Sequence, residues 1–170
     1  MSKSRCDVAI VDYGMGNLFS IQQACAHAGL TAAITASAEE IQSARAVILP
    51  GVGAFDAAMN MLEEQNMLDV LNKKALVDKI PVMGICLGMQ LLLDSSEEGV
   101  KKGLGWIPGG ATKFTFPNNE LKVPHMGWNY VYQQKPSPIL EGLENPKYYF
   151  VHSYYVTAEN PDHVLLTTKY

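Results

Sequence analysis

A chain of 170 residues that is 48% hydrophobic and 18% charged can bury a substantial core, which excludes a disordered segment and suits one domain over residues 1–170. A net charge of −4, with no basic run longer than Lys101–Lys102, argues against nucleic acid or an anionic membrane surface as partner. Three cysteines without a C-x-x-C pair read as reduced thiols in a cytoplasm, and the longest uncharged run, Ile80–Leu93, is broken by Pro81, Gly84 and Gly88 and is too short for a membrane helix.

Asp7–Tyr13 reads as a buried strand rich in Val and Ile, with Asp7 and Asp12 breaking the apolar character a signal peptide would need. Asn17 suits the N-cap of a helix whose stripe is Leu18, Ile21, Cys25 and Ala28, and Gly29 suits its C′ position. Thr31–Thr35 is a second strand, and Ser37 with Glu40 has capping-box spacing for a short helix. Ala44–Leu49 is a third strand, ending in Pro50-Gly51-Val52-Gly53. Ala57–Lys79 forms one or two amphipathic helices with Ala58, Met61, Leu62, Leu68 and Leu71 inward. Pro81–Ile85 is a fourth strand running into Cys86, and Leu87–Leu93 starts a buried helix.

Alternation of strand and helix predicts a parallel sheet covered by helices on both faces. After Gly99 glycines and prolines become dense, and the strand-like pieces Tyr130–Gln133, Lys147–Val156 and His163–Thr168 follow without a long helix. These read as antiparallel additions at the sheet edge. The expected fold class is therefore α/β, a three-layer sheet with a parallel core.

Gly84-Ile85-Cys86-Leu87-Gly88-Met89-Gln90 is the most informative segment. G-x-C-x-G at a strand-to-helix junction is the cysteine form of a nucleophile elbow. The sharp turn needs glycines where side chains would clash, presents the thiol at the strand's carboxyl end, and places it over a helix N-terminus that favours negative charge. The Leu87 N–H then becomes a natural oxyanion donor. An isolated cysteine would more often be a small buried hydrophobe; the elbow context favours the nucleophile.

Other segments stay open on their residues alone. Pro50–Gly53 suits an ordinary strand-end turn as well as a second source of oxyanion N–H groups. Gln90 suits a helix residue satisfied locally, His152 more often a structural histidine than a base, and Met126 and Trp128 either core packing or an interface. No metal cluster is visible, and Gly14-Met15-Gly16 lacks the spacing of a dinucleotide fingerprint, so no cofactor is expected.

Together these motifs resemble the class I glutamine amidotransferases. Gly84–Gln90 resembles their nucleophile segment. Pro50-Gly51-Val52-Gly53-Ala54-Phe55 resembles the oxyanion strand of the histidine-biosynthesis branch. Asp12–Asn17, Pro124–Asn129 and Tyr149–Tyr155 resemble that branch too, in order along nearly the whole chain. The resemblance implies a flavodoxin-like fold and a glutaminase that takes glutamine as substrate. It would supply ammonia to a separate (β/α)₈-barrel cyclase subunit within a heterodimer. It implies Cys86 as nucleophile, with Gly51, Val52, Gly53 and Leu87 around the oxyanion. Gln90, His152, Ser153 and Tyr154 would hold the substrate, and Tyr13, Asn17, Met126 and Trp128 would face the partner. The family's His-Pro-Glu segment, which completes a Cys-His-Glu triad, is absent from these residues. The expectation is a domain lacking its C-terminal part, with little or no activity by itself. Three rivals remain: an elbow-cysteine hydrolase or amidotransferase serving another synthase, a non-catalytic partner-binding module, and, last, a redox-sensing role for Cys86, which has no resolving cysteine nearby in sequence.

Overall fold

The computed structural model describes residues 6–117 and 120–170. Its centre is a four-stranded parallel sheet in the order β2-β1-β3-β4, from Val8–Val11 (β1), Ala32–Thr35 (β2), Ala46–Leu49 (β3) and Val82–Gly84 (β4). Each strand is shorter than its apolar run suggests, because only the residues between the turn segments join the ladder. The period-2 alternation of strand side chains divides the core in two. Ala9, Val11, Val47 and Leu49 point to one face; Val8, Ile10, Ala46 and Ile48 point to the other.

Helix α1 (Leu18–His27) covers the second face through Leu18, Ile21 and Cys25. Its ends follow the expected chemistry. Asn17 Oδ1 accepts the Ser20 N–H at 3.3 Å. At the other end Leu30 N–H reaches the Cys25 carbonyl and Gly29 N–H the Ala26 carbonyl, with Gly29 at φ +77°, a Schellman closure that glycine adopts without a Cβ penalty. Helix α2 (Ala38–Ser43) starts with Ser37 Oγ accepting the Glu40 N–H at 3.3 Å.

Helices α3 (Phe55–Glu64) and α4 (Leu68–Asn72) fill the first face with Phe55, Ala58, Leu62 and Leu71, all essentially inaccessible. The sequence allows one long helix here; the chain breaks it at Asn66, where φ is +54°. A one-turn helix α5 (Leu87–Gln90) follows β4, and the next three leucines stay buried without continuing as helix.

The second half builds its own small sheets. β5 (Ser95–Ser96), β6 (Gly109–Lys113) and β10 (Tyr154–Ala158) form one. β7 (His125–Tyr130) pairs with β9 (Lys147–His152), and β8 (Tyr132–Gln133) with β11 (Leu166–Thr167). The expected attachment to the edge of the parallel sheet is thus not made through a ladder: these strands pair with one another instead, and β6 and β7 lie where sequence periodicity shows little. Among the described residues no helix is long and apolar enough to cross a membrane.

Candidate active site

The carboxyl ends of β1, β3 and β4 lie side by side, the usual place for a ligand site on a parallel sheet. Three segments leave from there: residues 12–17, residues 50–54, and the junction Ile85–Cys86. Ile85 N–H donates to the Leu49 carbonyl at 3.0 Å, which ties the start of the elbow to the end of β3.

Cys86 is exposed and adopts φ 54°, ψ −114°. A side chain held at positive φ costs of order 1–3 kcal/mol and persists only where its surroundings enforce it. The surroundings are specific. A methyl group at Gly84 would meet Met89 Cα at 2.5 Å, and one at Gly88 would lie 1.9 Å from the Leu49 carbonyl oxygen. Both glycines are required for the elbow to close against β3, and the turn holds the sulfur outward. The helix beyond is only four residues long, so the dipole expected to favour negative charge is that of a single turn.

The Pro50–Gly53 segment packs directly on this elbow. A Cβ at Gly51 would stand 2.7 Å from the Gly88 nitrogen, 2.8 Å from Leu87 Cβ and 2.9 Å from the Tyr13 hydroxyl. Glycine lets the two backbones touch. Val52 is 56% exposed, and Gly53 turns the chain at φ +102° against the Met15 methyl. Gln90 points inward from α5: it is 93% buried, and its Oε1 has no hydrogen-bond partner. A buried amide oxygen left unpaired costs about 1–3 kcal/mol, which a bound donor would recover.

His152, Ser153 and Tyr154 lie where β9 passes into β10, with ladder partners in β7 and β6. The His152 ring is held at both nitrogens. Nδ1–H donates to the Tyr154 carbonyl at 2.8 Å, so in the neutral pair Nε2 accepts from His125 Nδ1–H at 2.9 Å. Both contacts suit the structural reading of this histidine. His125 is buried, stacked between Phe150 and Tyr170, and burial together with the neighbouring His152 lowers its pKa. No feature of the sequence paired these histidines; only the β7–β9 register sets them opposite each other.

Asn17 is exposed, as a partner-facing residue must be. Tyr13 is not. Its side chain is fully buried, and its hydroxyl donates to the Pro50 carbonyl at 2.6 Å. The sequence placed it at the partner surface; the ring belongs to the core because the chain turns inward after β1, and burial pushes its phenol pKa up. Met126 and Trp128 are 60% and 67% exposed on β7, which removes core packing as their explanation. Val151 and Tyr149 stand opposite them in register and share that outward face. Among the described residues no three His, Cys, Asp or Glu side chains converge as a metal site.

A family profile described as glutamine amidotransferase class-I matches residues 9–169. The chain is 50% identical over 164 residues to imidazole glycerol phosphate synthase subunit HisH 2 of Methanococcus maripaludis, covering 96% of this chain and 81% of that protein. It is 44% identical to the protein of the same name from Pseudomonas aeruginosa, with the same coverage. The chain belongs to the class I glutamine amidotransferases, in the group of HisH subunits. A solved glutamine amidotransferase aligns with a TM-score of 0.70 at 17% identity, over 94% of this chain and 79% of that one, which shows the shared fold. The elbow and its glycine neighbours thus occur in a chain of a glutamine-using enzyme family.

Proposed function

We propose that residues 1–170 form one amidotransferase domain in which Cys86 is the nucleophile of a glutaminase. The observation that carries this is an exposed cysteine at φ 54°, with the Gly51 backbone against Leu87 and Gly88. In this reading the thiolate attacks the side-chain carboxamide of glutamine. Main-chain N–H groups from Leu87 and from Gly51-Val52-Gly53 receive the negative charge on the oxygen. The C–N bond breaks as the nitrogen takes a proton and leaves as ammonia; water then cleaves the thioester to glutamate and the free thiol. The unpaired Gln90 oxygen accepts an N–H from the bound glutamine, and Ser153 and Tyr154 meet its amino-acid end.

Ammonia then passes to a (β/α)₈-barrel cyclase of histidine biosynthesis; the relatives' name as a synthase subunit supports the existence of a partner subunit. The exposed Met126 and Trp128 face and the exposed Asn17 are the surfaces we assign to that heterodimer contact. All three cysteines are free, as suits a cytoplasmic enzyme. The His-Pro-Glu segment of the triad is not among the 170 residues, so we expect them to hydrolyse glutamine slowly even with the cyclase present.

A glutamine-mimicking chloroketone tests the site. Mass spectrometry should find it on Cys86 and not on Cys6 or Cys25, and Cys86→Ser should abolish labelling. Equal labelling of all three thiols would refute the reading. Rapid ammonia release by the 170-residue chain would refute only the expectation of low activity.

A further inference from the structure

The geometry points to Tyr13 as a positioning residue for the oxyanion segment, a role that rests on the glutaminase reading above. Pro50 and Gly51 share one peptide unit, and its planarity makes the Pro50 carbonyl and the Gly51 N–H point in opposite directions. The Tyr13 hydroxyl holds that carbonyl at 2.6 Å from within the core. Fixing the oxygen fixes the plane, and with it the point from which Gly51-Val52-Gly53 leaves β3.

Packing reinforces the clamp from the same loop. A Cβ at Gly51 would meet both the Gly88 nitrogen, at 2.7 Å, and Tyr13 Oη, at 2.9 Å, so no side chain fits there. A Cβ at Gly16, at φ +110°, would meet Pro50 Cβ at 2.9 Å, and one at Gly53 would meet Met15 Cε at 2.9 Å. Residues 13–16 therefore touch the segment at its start and at its end, while Val52 between them stays exposed. One end of the segment is packed against the elbow and the middle is open to solvent. A phenol suits the task because its ring fills core volume while its hydroxyl reaches a backbone acceptor. Burial pushes its pKa further above the ordinary 10, so the hydroxyl is protonated, hence a donor, at neutral pH.

The role belongs to the hydroxyl and not to the ring, so Tyr13→Phe separates the two. Both chains are treated with the glutamine-mimicking chloroketone, whose ketone oxygen occupies the oxyanion position, and with iodoacetamide, which needs no such position. For the chloroketone, the maximal inactivation rate at Cys86 should fall at least fivefold in Tyr13→Phe while the half-saturating concentration stays within twofold. The iodoacetamide rate should stay within twofold. An unchanged inactivation rate, or an equal loss with both reagents, would overturn the assignment. If the unaltered chain shows no saturable labelling of Cys86, the glutaminase reading itself fails and this role fails with it. Should Tyr13→Phe not fold, the unaltered chain still decides. Proton NMR should show a slowly exchanging phenolic proton with a nuclear Overhauser contact to the Gly51 α-protons, and the absence of that contact overturns the clamp.

Discussion

In β1 all four side chains are buried, whereas in β7 only His125 is, and Met126, Trp128 and Tyr130 stand outward. The first strand lies inside a parallel sheet with helices on both faces, so each residue meets apolar neighbours whichever way it points. The second lies in a two-stranded antiparallel ribbon, so alternate residues face solvent. The aromatic content of the ribbon is not a sign of a core. Its inner side is a polar and aromatic stack in which Phe114, Phe150 and Tyr170 surround the His125–His152 pair. Its outer side carries Trp128 edge-on to Tyr149 with centroids 5.8 Å apart. The parallel half holds the fold and the elbow; the ribbon half carries the exposed aromatic face that we assign to partner contact.

Substitutions can break this contrast, and the largest effect is expected at the elbow. Gly88→Ala forces a methyl group to within 1.9 Å of the Leu49 carbonyl oxygen, a backbone atom that cannot yield. Equilibrium denaturation should show a loss of roughly 4 kcal/mol or no folded protein at all. Leu62→Ala empties a fully buried site in the first-face core and should cost about 3 kcal/mol. Tyr13→Phe leaves the Pro50 carbonyl buried and unpaired and should cost about 2 kcal/mol, with the near-ultraviolet spectrum otherwise retained.

The ribbon should respond to pH before the parallel half does. The folded chain resists protonation of His125, whose pKa lies below the ordinary 6.5, while the unfolded chain takes up that proton freely. More protons bound in the unfolded state means stability that is complete above pH 6.5 and falls as pH drops through that value. Denaturation midpoints measured from pH 8 to pH 5 should show the fall, and His125→Gln should flatten it. The smallest effect is expected at Trp128→Ala, which should change stability by about 1 kcal/mol or less. Calorimetric titration with the cyclase should nonetheless show weaker binding; a loss as large as that of Leu62→Ala would mean the ribbon is core after all.

Much of the parallel half was legible because its signals are local. Asn17 and Ser37 sit where caps are needed, Gly29 supplies the αL residue, and G-x-C-x-G has a short-range steric meaning that the contacts of Gly84 and Gly88 reproduce. The ribbons were harder to read. A strand such as His125–Tyr130 contains two aromatics, a glycine and an asparagine, and its register with Lys147–His152 depends on partners well beyond local range along the chain, from Tyr130 with Lys147 to His125 with His152. The same distance problem hid the direction of Tyr13. A tyrosine at the end of a buried strand is equally able to face a partner or the interior, and the Pro50 carbonyl that settles the matter is 37 residues away.

The sequence by itself determined the parallel α/β pattern, both ends of the first helix, the start of the second and the cysteine at a turn that only glycines permit. Those features rest on backbone geometry and steric conflict among near neighbours, which a short stretch of residues already specifies. Tertiary structure alone decided that Gly51 lies on Gly88, that Tyr13 grips Pro50 from the core, and that His125 meets His152. Each of those contacts joins segments far apart in the chain, and their geometry comes from how strands are ordered and packed in three dimensions.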